Sequence, residues 1–181
     1  MHYWIALFRG INVGGKHLLP MAQLRQLMAD LGHQQIKTYI QSGNCVFATP
    51  RARNPATMAQ RIEASVEEQF EFSAPVLVLP VSTMQSVVQA NPFPNADPKR
   101  LQIFFPWHAI GTSDDDALAQ WATASESFVV QSQALYLHAP DGIGRSKLAS
   151  KVDQSLGVRC TARNLNTCHK LLALAADNHD A

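Results

Sequence analysis

The spacing of apolar residues in the first half of the chain predicts an alternation of short strands and amphipathic helices. An apolar strand runs from Tyr3 to Arg9 and ends in a glycine-rich loop. Beyond that loop, apolar residues recur every three or four positions, as on one face of a helix; they are Met21, Leu24, Leu27, Met28 and Leu31. Pro20 suits the first position of this helix, and Gly32 suits its C-terminal end because glycine tolerates left-handed backbone.

Three further strands and a second helix complete this first set of elements. The pattern predicts strands over residues 36–41 and 44–48, joined by a turn at Ser42-Gly43. Asn54-Pro55 is typical of a helix start, and the apolar residues that follow are spaced by four: Met58, Ile62, Val66 and Phe70. A continuous apolar strand over 75–81 comes last. The order β-α-β-β-α-β is that of a ferredoxin-like unit.

The second half of the chain repeats this order after a short helix capped by Ser82 and a proline-rich loop from Asn91 to Pro98. The first elements expected there are a strand at 100–105 and a helix that carries Leu118 and Trp121. That helix is expected to begin at Ser113, Asp114, Asp115 and Asp116. Strands at 128–131 and 135–138 follow, then a helix from Ser146 to Leu156 closed by Gly157, and a strand at 158–161. Asn164 is expected to cap a final helix, and residues 177–181 to form a frayed tail.

We therefore predict an α+β protein of two ferredoxin-like β-α-β-β-α-β halves with an appended C-terminal helix. The predicted limits are 1–81 for the first half, 82–99 for the connecting helix and proline-rich loop, and 100–176 for the second half with the last helix. A fragment shared by the two hairpins, Ile40-Gln41-Ser42 against Val130-Gln131-Ser132, agrees with an internal repeat, although the matching order of elements is the stronger indication.

Composition places the chain among globular proteins and excludes a general attraction to polyanions. Hydrophobic residues make up 46% of the 181 residues, charged residues make up 16%, and the formal net charge is +1. A basic site must therefore be local.

The three cysteines have no paired spacing, which indicates reduced thiols in a cytoplasmic protein. The N-terminus lacks the basic region of a signal peptide, and no apolar run has the length of a membrane span.

The segment from Gly10 to Lys16 fits the first part of a phosphate-binding P-loop, with two glycines around four residues and then lysine. His17 stands where such a loop needs a hydroxyl to bind magnesium, and Pro20 delays the helix whose amides would meet the phosphate. No later apolar strand ends in an aspartate that would hold the metal. These departures disfavour a nucleoside triphosphatase and leave two alternatives, a simple glycine turn or a general anion site.

Polar donors gather at four places where predicted strands or helices end. Because Arg residues beside free helix amides bind anions well, we predict one composite site for a phosphate-bearing ligand: a nucleotide, a phosphorylated metabolite or a nucleic-acid strand. The predicted ligand-binding residues are Arg9, Asn12, Gly14, Gly15 and Lys16, then Gln41, Ser42 and Asn44, then Arg145 and Lys147, and finally Arg163 and Asn164. Arg163 is expected on a short connection between Thr161 and the cap Asn164. The structural alternative is helix capping and turn chemistry alone.

Two other functions compete with simple binding. An enzyme acting on a phosphorylated small molecule would need a base or nucleophile, for which His17 and Asp141 are candidates without a visible partner. A homodimeric interaction module is the third hypothesis.

The seven histidines show no metal-binding spacing, so we expect neither a metal nor another cofactor. The cysteines are expected to be buried and inert, and the basic-aromatic strand motif of RNA-binding sheets is absent.

The donor-rich segments resemble the recurring motifs of a bacterial family, domain of unknown function 1697. The similar segments are Phe8–Lys16, Met21–Arg25, Thr38–Asn44 and Thr161–Thr167, and the likeness spans nearly the whole chain. Leu165 and Cys168 depart from the family pattern, which favours Trp and Val there. The resemblance implies a cytosolic, ferredoxin-like protein and implies no particular reaction.

Overall fold

The first half of the chain forms the predicted strands and helices with limits that differ by a few residues. A computed structural model describes residues 1–113 and 115–179. The elements are β1 (His2–Phe8), α1 (Met21–Asp30), β2 (Gln34–Tyr39), β3 (Asn44–Thr49), α2 (Pro55–Phe70) and β4 (Val76–Pro80), followed directly by α3 (Val81–Gln89). Asn54 caps α2 as predicted, since its side-chain oxygen accepts from the Thr57 N–H at 3.1 Å.

The second half repeats the order of the first. Its elements are β5 (Leu101–Pro106), α4 (Asp115–Ala119), β6 (Ser127–Gln131), β7 (Ala134–His138), a 3₁₀ turn at Ile143–Arg145, α5 (Lys147–Leu156), β8 (Cys160–Asn164) and α6 (Leu165–His179). Ser146 caps α5 as predicted, because its hydroxyl accepts from the Ala149 N–H at 3.0 Å. No helix among the described residues is long and apolar enough to cross a membrane.

Each half contains an antiparallel sheet of four strands with the same internal order. The first sheet is ordered β2-β3-β1-β4 and the second β6-β7-β5-β8, so in each the first strand lies beside the third and the fourth. Two strand-helix-strand units that share a central pair give this ferredoxin-like arrangement. The predicted fold class, α+β with two ferredoxin-like halves, is confirmed.

The chain divides into two compact units. The first unit contains residues 1–85 and the chain from Lys170 onward, and the second unit contains Ser86–His169. The division falls within α3 and within α6. Within the first unit, the Asn178 side chain donates to the Gln35 carbonyl at 2.8 Å, and this bond fastens the end of α6 to β2. The predicted domain limits stay a prediction.

The core of the first unit follows from the alternation of side chains along β1. Trp4, Ala6 and Phe8 are buried on one face of the sheet, against apolar residues of α1 and α2 such as Leu24 and Ile62. The second unit has its own cluster, which includes Phe104, Leu118, Leu135, Leu148 and Val152. Burial of this kind supplies about 25 cal/mol per Å² of apolar surface and is the main stabilising contribution to each unit.

Several predicted limits in the first half are corrected by the structure. Pro20 precedes α1 at the cap position, while Gly32 follows the helix with φ +82°, as its predicted role requires. The helix α3 starts at Val81, directly after β4, so Ser82 lies inside it and not before its first residue as predicted. β2 begins earlier than predicted and contains an irregularity between Gln34 and Lys37.

In the second half, α4 is shorter than predicted and Trp121 lies beyond it, while Asp114 lies outside the described residues. β8 runs to Asn164, although we expected it to stop at 161. Of the expected tail, residues 177–179 belong to α6, and residues 180 and 181 lie outside the described residues.

Replacing Asn164 by Ala is expected to lower the free energy of unfolding by about 1 kcal/mol. The Asn164 side-chain oxygen accepts from the Thr167 N–H at 2.8 Å and so caps α6. Urea unfolding measures the loss. Asn164→Ser keeps an acceptor at the same position and should recover most of it; equal losses in the two variants would contradict the capping role.

Candidate functional site

The loop after β1 folds into a small two-stranded ribbon over residues 12–17, which we call the ribbon. The Asn12 N–H donates to the His17 carbonyl at 3.0 Å, and the Lys16 N–H donates to the Val13 carbonyl at 3.1 Å. At its tip, Gly14 and Gly15 have φ of +58° and +73°. Two consecutive positive φ angles are typical of the type I′ turn, which glycine adopts at little cost. The glycines therefore serve a tight turn that points Lys16 outward.

The side chain of Asn12 holds the ribbon in place. Its amide nitrogen donates to the carbonyls of Leu19 (3.0 Å) and Gln41 (2.6 Å), and its oxygen accepts from the Leu19 N–H at 2.8 Å. These three bonds tie the ribbon to the entry of α1 and to the turn between β2 and β3. Asn12 thus acts within the protein, because its amide groups are already engaged.

The turn between β2 and β3, residues 40–43, lies at the same end of the sheet. The Phe8 N–H donates to the Gly43 carbonyl at 2.9 Å, which joins the end of β1 to this turn. The buried Asn44 side chain donates to the Tyr39 carbonyl (3.1 Å) and to the Ser42 hydroxyl (3.0 Å) and closes the turn. The structure therefore brings the first two predicted segments together, with Ser42 and Asn44 in structural roles.

The surface formed by the ribbon and this turn is exposed, apolar and cationic. Arg9 and every residue from 13 to 18 are exposed. Four large hydrophobic residues are exposed in the described chain, and three of them lie here: Val13 at 66%, Leu18 at 62% and Ile40 at 51%. Single exposed apolar side chains are ordinary, but a contiguous group of them marks a candidate binding surface.

The positive charge of the protein is concentrated in its first third, a signal that whole-chain composition conceals. Residues 1–62 contain one carboxylate, Asp30, and seven cations: Arg9, Lys16, Arg25, Lys37, Arg51, Arg53 and Arg61. This stretch has a formal charge of +6 in a chain of net charge +1. A count of charge in a sliding window along the sequence would have found the stretch, whereas the net charge of the whole chain averages it away.

Two of these cations lie along the edge of the first sheet. β2 is the edge strand, and the Arg25 guanidinium of α1 donates to the Thr38 hydroxyl of this strand at 2.6 Å. Lys37 is the neighbouring residue of β2. Cations on an edge strand also discourage pairing with another sheet, so this placement has a structural explanation too.

A second cationic cluster lies at the opposite end of the first unit, where α1 ends and α2 begins. Leu31, Gly32, His33, Arg53, Met58 and Arg61 line a small notch there, which we call the arginine notch. The His33 ring contacts the Phe47 ring with centroids 4.5 Å apart. Burial, together with Arg61 and Arg53, lowers the pKa of His33 to about 4. None of these residues was among the predicted ligand-binding set.

In the second unit, Arg145 and Asp141 are brought together. They line a cavity of about 220 Å³ with Thr123, Glu126, Ala139, Gly142 and Ser146. Asp141 has a partner that the sequence did not reveal, because the Ser125 hydroxyl donates to its carboxylate at 2.7 Å. Lys147 is exposed as the first residue of α5.

Arg163 does not lie on a connection, as we predicted, but within β8 opposite Ile103. Its guanidinium donates to the Thr161 hydroxyl at 3.0 Å and to the Ala162 carbonyl at 2.7 Å. Burial lowers the pKa of Arg163 to about 10. The strand extends past Thr161 because it pairs with β5 as far as Asn164. Since the predicted residues divide between the two units, one composite site remains a prediction.

The remaining candidates are His17 and the three cysteines, whose side chains pack against other residues of the protein. His17 stacks on Phe72 with centroids 4.9 Å apart. The three cysteines are free and buried, and burial raises the pKa of Cys45 and of Cys168 to about 12, which keeps both thiols protonated. Within the described residues, no group of three or more His, Cys, Asp or Glu side chains is placed to hold a metal ion.

A larger cavity of the first unit has no Lys or Arg side chain in its wall. It measures about 560 Å³ and lies between the start of β1, the start of α3 and α6. Residues that line it include Met1, His2, Trp4 and Leu172, and none of its lining residues is Lys, Arg, Asp or Glu. The predicted ligand-binding residues therefore take no part in this cavity.

The order of elements and the two sheets define an α+β protein built from two ferredoxin-like units. The chain belongs to the DUF1697 family, described as a protein of unknown function, whose profile matches residues 1–136. This confirms the resemblance found in the sequence over residues 1–136, while the similar segment Thr161–Thr167 lies beyond the matched residues.

One similar structure is that of the conserved bacterial protein SP0830 from Streptococcus pneumoniae, with a TM-score of 0.71 and 21% identity. The alignment covers 96% of this chain and 98% of that one. At such identity the likeness shows the fold alone. A comparison with curated proteins found no significant match.

Replacing Gly43 by Ala is expected to destabilise the protein by about 2–4 kcal/mol. A Cβ at this position would lie 2.5 Å from Ile11 Cδ1 and 2.6 Å from Phe8 Cβ, at φ +74°. Gly15→Ala is the matched control, since its φ is +73° but no atom lies within 4 Å of the new Cβ. It should cost only about 1–2 kcal/mol. Denaturant unfolding compares them, and equal losses would contradict the close packing of Gly43.

Stability is expected to fall as the pH drops from about 6.5 to about 4, because His33 takes up its proton in the unfolded chain before it does in the native protein. The native pKa is lowered, so this contribution is complete above the unfolded pKa. After allowance for solvent screening it amounts to about 1–2 kcal/mol.

The measurement is the free energy of unfolding at about pH 7 and about pH 4.5 for the wild type and for His33→Gln. Carboxylates titrate in both proteins, so the difference between the two pH dependences reports His33. We expect the smaller dependence in the variant. Identical dependences would show that His33 has an ordinary pKa in the native protein.

Proposed function

We propose that the protein binds a phosphate-bearing ligand at the ribbon end of the first unit, with Lys16 and Arg9 as the charged contacts. The observation that carries the proposal is the exposed Lys16 on a ribbon that the Asn12 hydrogen bonds hold in place. It lies in a stretch, residues 1–62, with a formal charge of +6, although some of those cations lie at the other end of the unit. A local excess of one charge attracts ligands of the opposite charge even when the whole chain is nearly neutral.

The division of roles among the loop residues supports this proposal. Asn12, Ser42 and Asn44 make hydrogen bonds that shape the two loops. The Lys16 ammonium group makes no hydrogen bond or ion pair with another residue in the described part of the chain. A lysine side chain that the fold does not use, on a ribbon that the fold holds in place, is available to meet an anion at a defined position.

The openness of the surface favours a nucleic-acid strand over a mononucleotide. A small ligand needs a concave pocket that buries most of its surface, whereas residues 13–18 are all exposed. A strand presents phosphates at regular spacing and bases with apolar faces. Cations distributed over the first unit suit the phosphates, and the exposed Val13, Leu18 and Ile40 offer apolar contacts to the bases.

The glycines at the tip are consistent with close approach of such a ligand. A Cβ at Gly14 or Gly15 would meet no atom within 4 Å, so the space above the tip is open. The absence of side chains there lets a phosphate or base come near the backbone. Lys16 follows immediately and supplies the charge.

A second candidate function rests on the cavity of the second unit. Asp141 and Arg145 line it together, which places a carboxylate and a guanidinium in one concave site. This arrangement favours the predicted enzyme acting on a phosphorylated small molecule, with Arg145 for the phosphate and Asp141 as base. If a turnover screen found activity that Asp141→Asn leaves intact, that role of Asp141 would be excluded.

Replacing Lys16 by Ala is expected to weaken binding of a fluorescent single-stranded oligonucleotide uniformly across sequences. Loss of one phosphate contact should reduce the slope of log K against log salt by roughly 0.7, and titrations from roughly 50 to 200 mM salt measure it by fluorescence anisotropy. Lys16→Arg should retain most of the affinity, because the charge is kept.

Lys99→Ala is the matched control, an exposed lysine of the second unit outside the basic stretch. It should leave affinity and salt slope unchanged. The proposal would be wrong if the wild-type protein showed no salt-dependent binding, or if Lys16→Ala and Lys99→Ala behaved alike.

A further inference from the structure

Two guanidinium groups at the arginine notch are not neutralised by the protein. Among the described residues, neither the Arg53 nor the Arg61 guanidinium makes a hydrogen bond or an ion pair. Like charges placed close together repel each other, and here both also disfavour protonation of His33. Such a cluster becomes favourable when an anion enters it.

The acidic residues nearest in sequence are engaged elsewhere. Asp30 accepts from the Gln26 side chain at 2.9 Å on the surface of α1. Glu63 lies two residues after Arg61, but its carboxylate accepts from the Val76 N–H at 2.8 Å at the start of β4. Neither of these two carboxylates therefore neutralises the arginines of the notch.

The backbone holds both arginines beside His33. Arg53 immediately precedes Asn54, which caps α2. Arg61 lies two turns further along the helix, and long helical side chains lean toward the N-terminus of their helix. This direction carries Arg61 back over Met58, which lines the same notch. His33 enters from the turn after α1, so three nitrogen-bearing side chains from separate segments meet at one place.

We propose that the arginine notch is a binding site for a phosphate group, with Arg53 and Arg61 as charged donors and the His33 ring as a third hydrogen-bonding partner. Guanidinium groups match the oxygens of phosphate in spacing and charge. The enclosed part of the notch measures only about 10 Å³, room for roughly one water molecule. So small a notch encloses neither a phosphate nor a sugar or base, so an anion would lie at its mouth, against the two guanidinium groups.

The site at the arginine notch differs from the one proposed at the ribbon, and neither proposal depends on the other. It lies at the other end of α1, and Lys16 takes no part in it. A structural explanation also exists, since cations at the C-terminal end of α1 interact favourably with its dipole. The two explanations differ in one measurable respect, because only a binding site responds to phosphate at constant ionic strength.

The test is an NMR titration of the full chain that follows the His33 ring signals. Inorganic phosphate and methyl phosphate are added separately, with sodium chloride adjusted to keep ionic strength constant. We expect saturable shifts of the His33 ring and a rise of its pKa above about 4, because the anion offsets the two arginines. A response to inorganic phosphate alone assigns the site to free phosphate, and a response to both assigns it to a terminal phosphoryl group.

Variants of the two arginines distinguish phosphate binding at the notch from a general response to salt. Arg53→Ala and Arg61→Ala should each weaken phosphate binding by about tenfold, and the double variant should abolish it. Both side chains are exposed, so the variants should fold. Lys16→Ala should leave the titration unchanged, which distinguishes failure at the ribbon from failure here. The inference is overturned if neither anion shifts His33 beyond the chloride control, or if the double variant responds like the wild type.

Discussion

The location of the ribbon depends on the central position of β1 in the first sheet. β1 pairs with β3 on one side and β4 on the other, and its residues from Trp4 to Phe8 are buried. The pairing continues past the strand, because the N–H groups of Phe8 and Arg9 donate to Gly43 (2.9 Å) and Pro75 (2.8 Å). A strand held on both sides leaves the sheet at one fixed point, so the loop that follows has little freedom of placement. Asn12 then closes the arrangement from within the loop.

Two kinds of polar side chain lie beside the glycines at the ribbon end of the first unit, small ones that shape the turns and charged ones. The amides of Asn12 and Asn44 and the hydroxyl of Ser42 bind neighbouring backbone or side-chain groups, as small polar residues at turns commonly do. Lys16, by contrast, makes no side-chain hydrogen bond among the described residues. Sequence alone does not separate these kinds, because both occur in the same short segments. The hydrogen bonds of the structure assign the three small polar side chains to the turns.

The fold was predictable because its order of elements is read from local patterns, while the ends of elements depend on tertiary contacts. Ser82 resembles a helix cap, yet α3 starts one residue before it, directly after β4. Thr161 to Asn164 has little preference for a strand, but pairing with β5 extends β8 through Arg163. The meeting of the ribbon with the Gln41 turn followed from the ferredoxin-like order. The arginine notch did not, because His33 and Arg61 are far apart in sequence and only the packing of α1 against α2 brings them together.

The dipole of α1 gives the two cationic clusters opposite energetic signs. Its C-terminal end faces the arginine notch and favours positive charge there, although Arg53 also precedes the N-terminal cap of α2, whose dipole disfavours it. The N-terminal end of α1 follows the ribbon in the chain, and no acidic residue stands in its first turn. Asn12 ties the ribbon to this end, since its side chain bonds with both the N–H and the carbonyl of Leu19. A cation at the start of α1 would be offset neither by a carboxylate of the first turn nor by the dipole, whose positive end lies there. Positive charge is thus less favourable for the fold alone at the start of α1 than at its end.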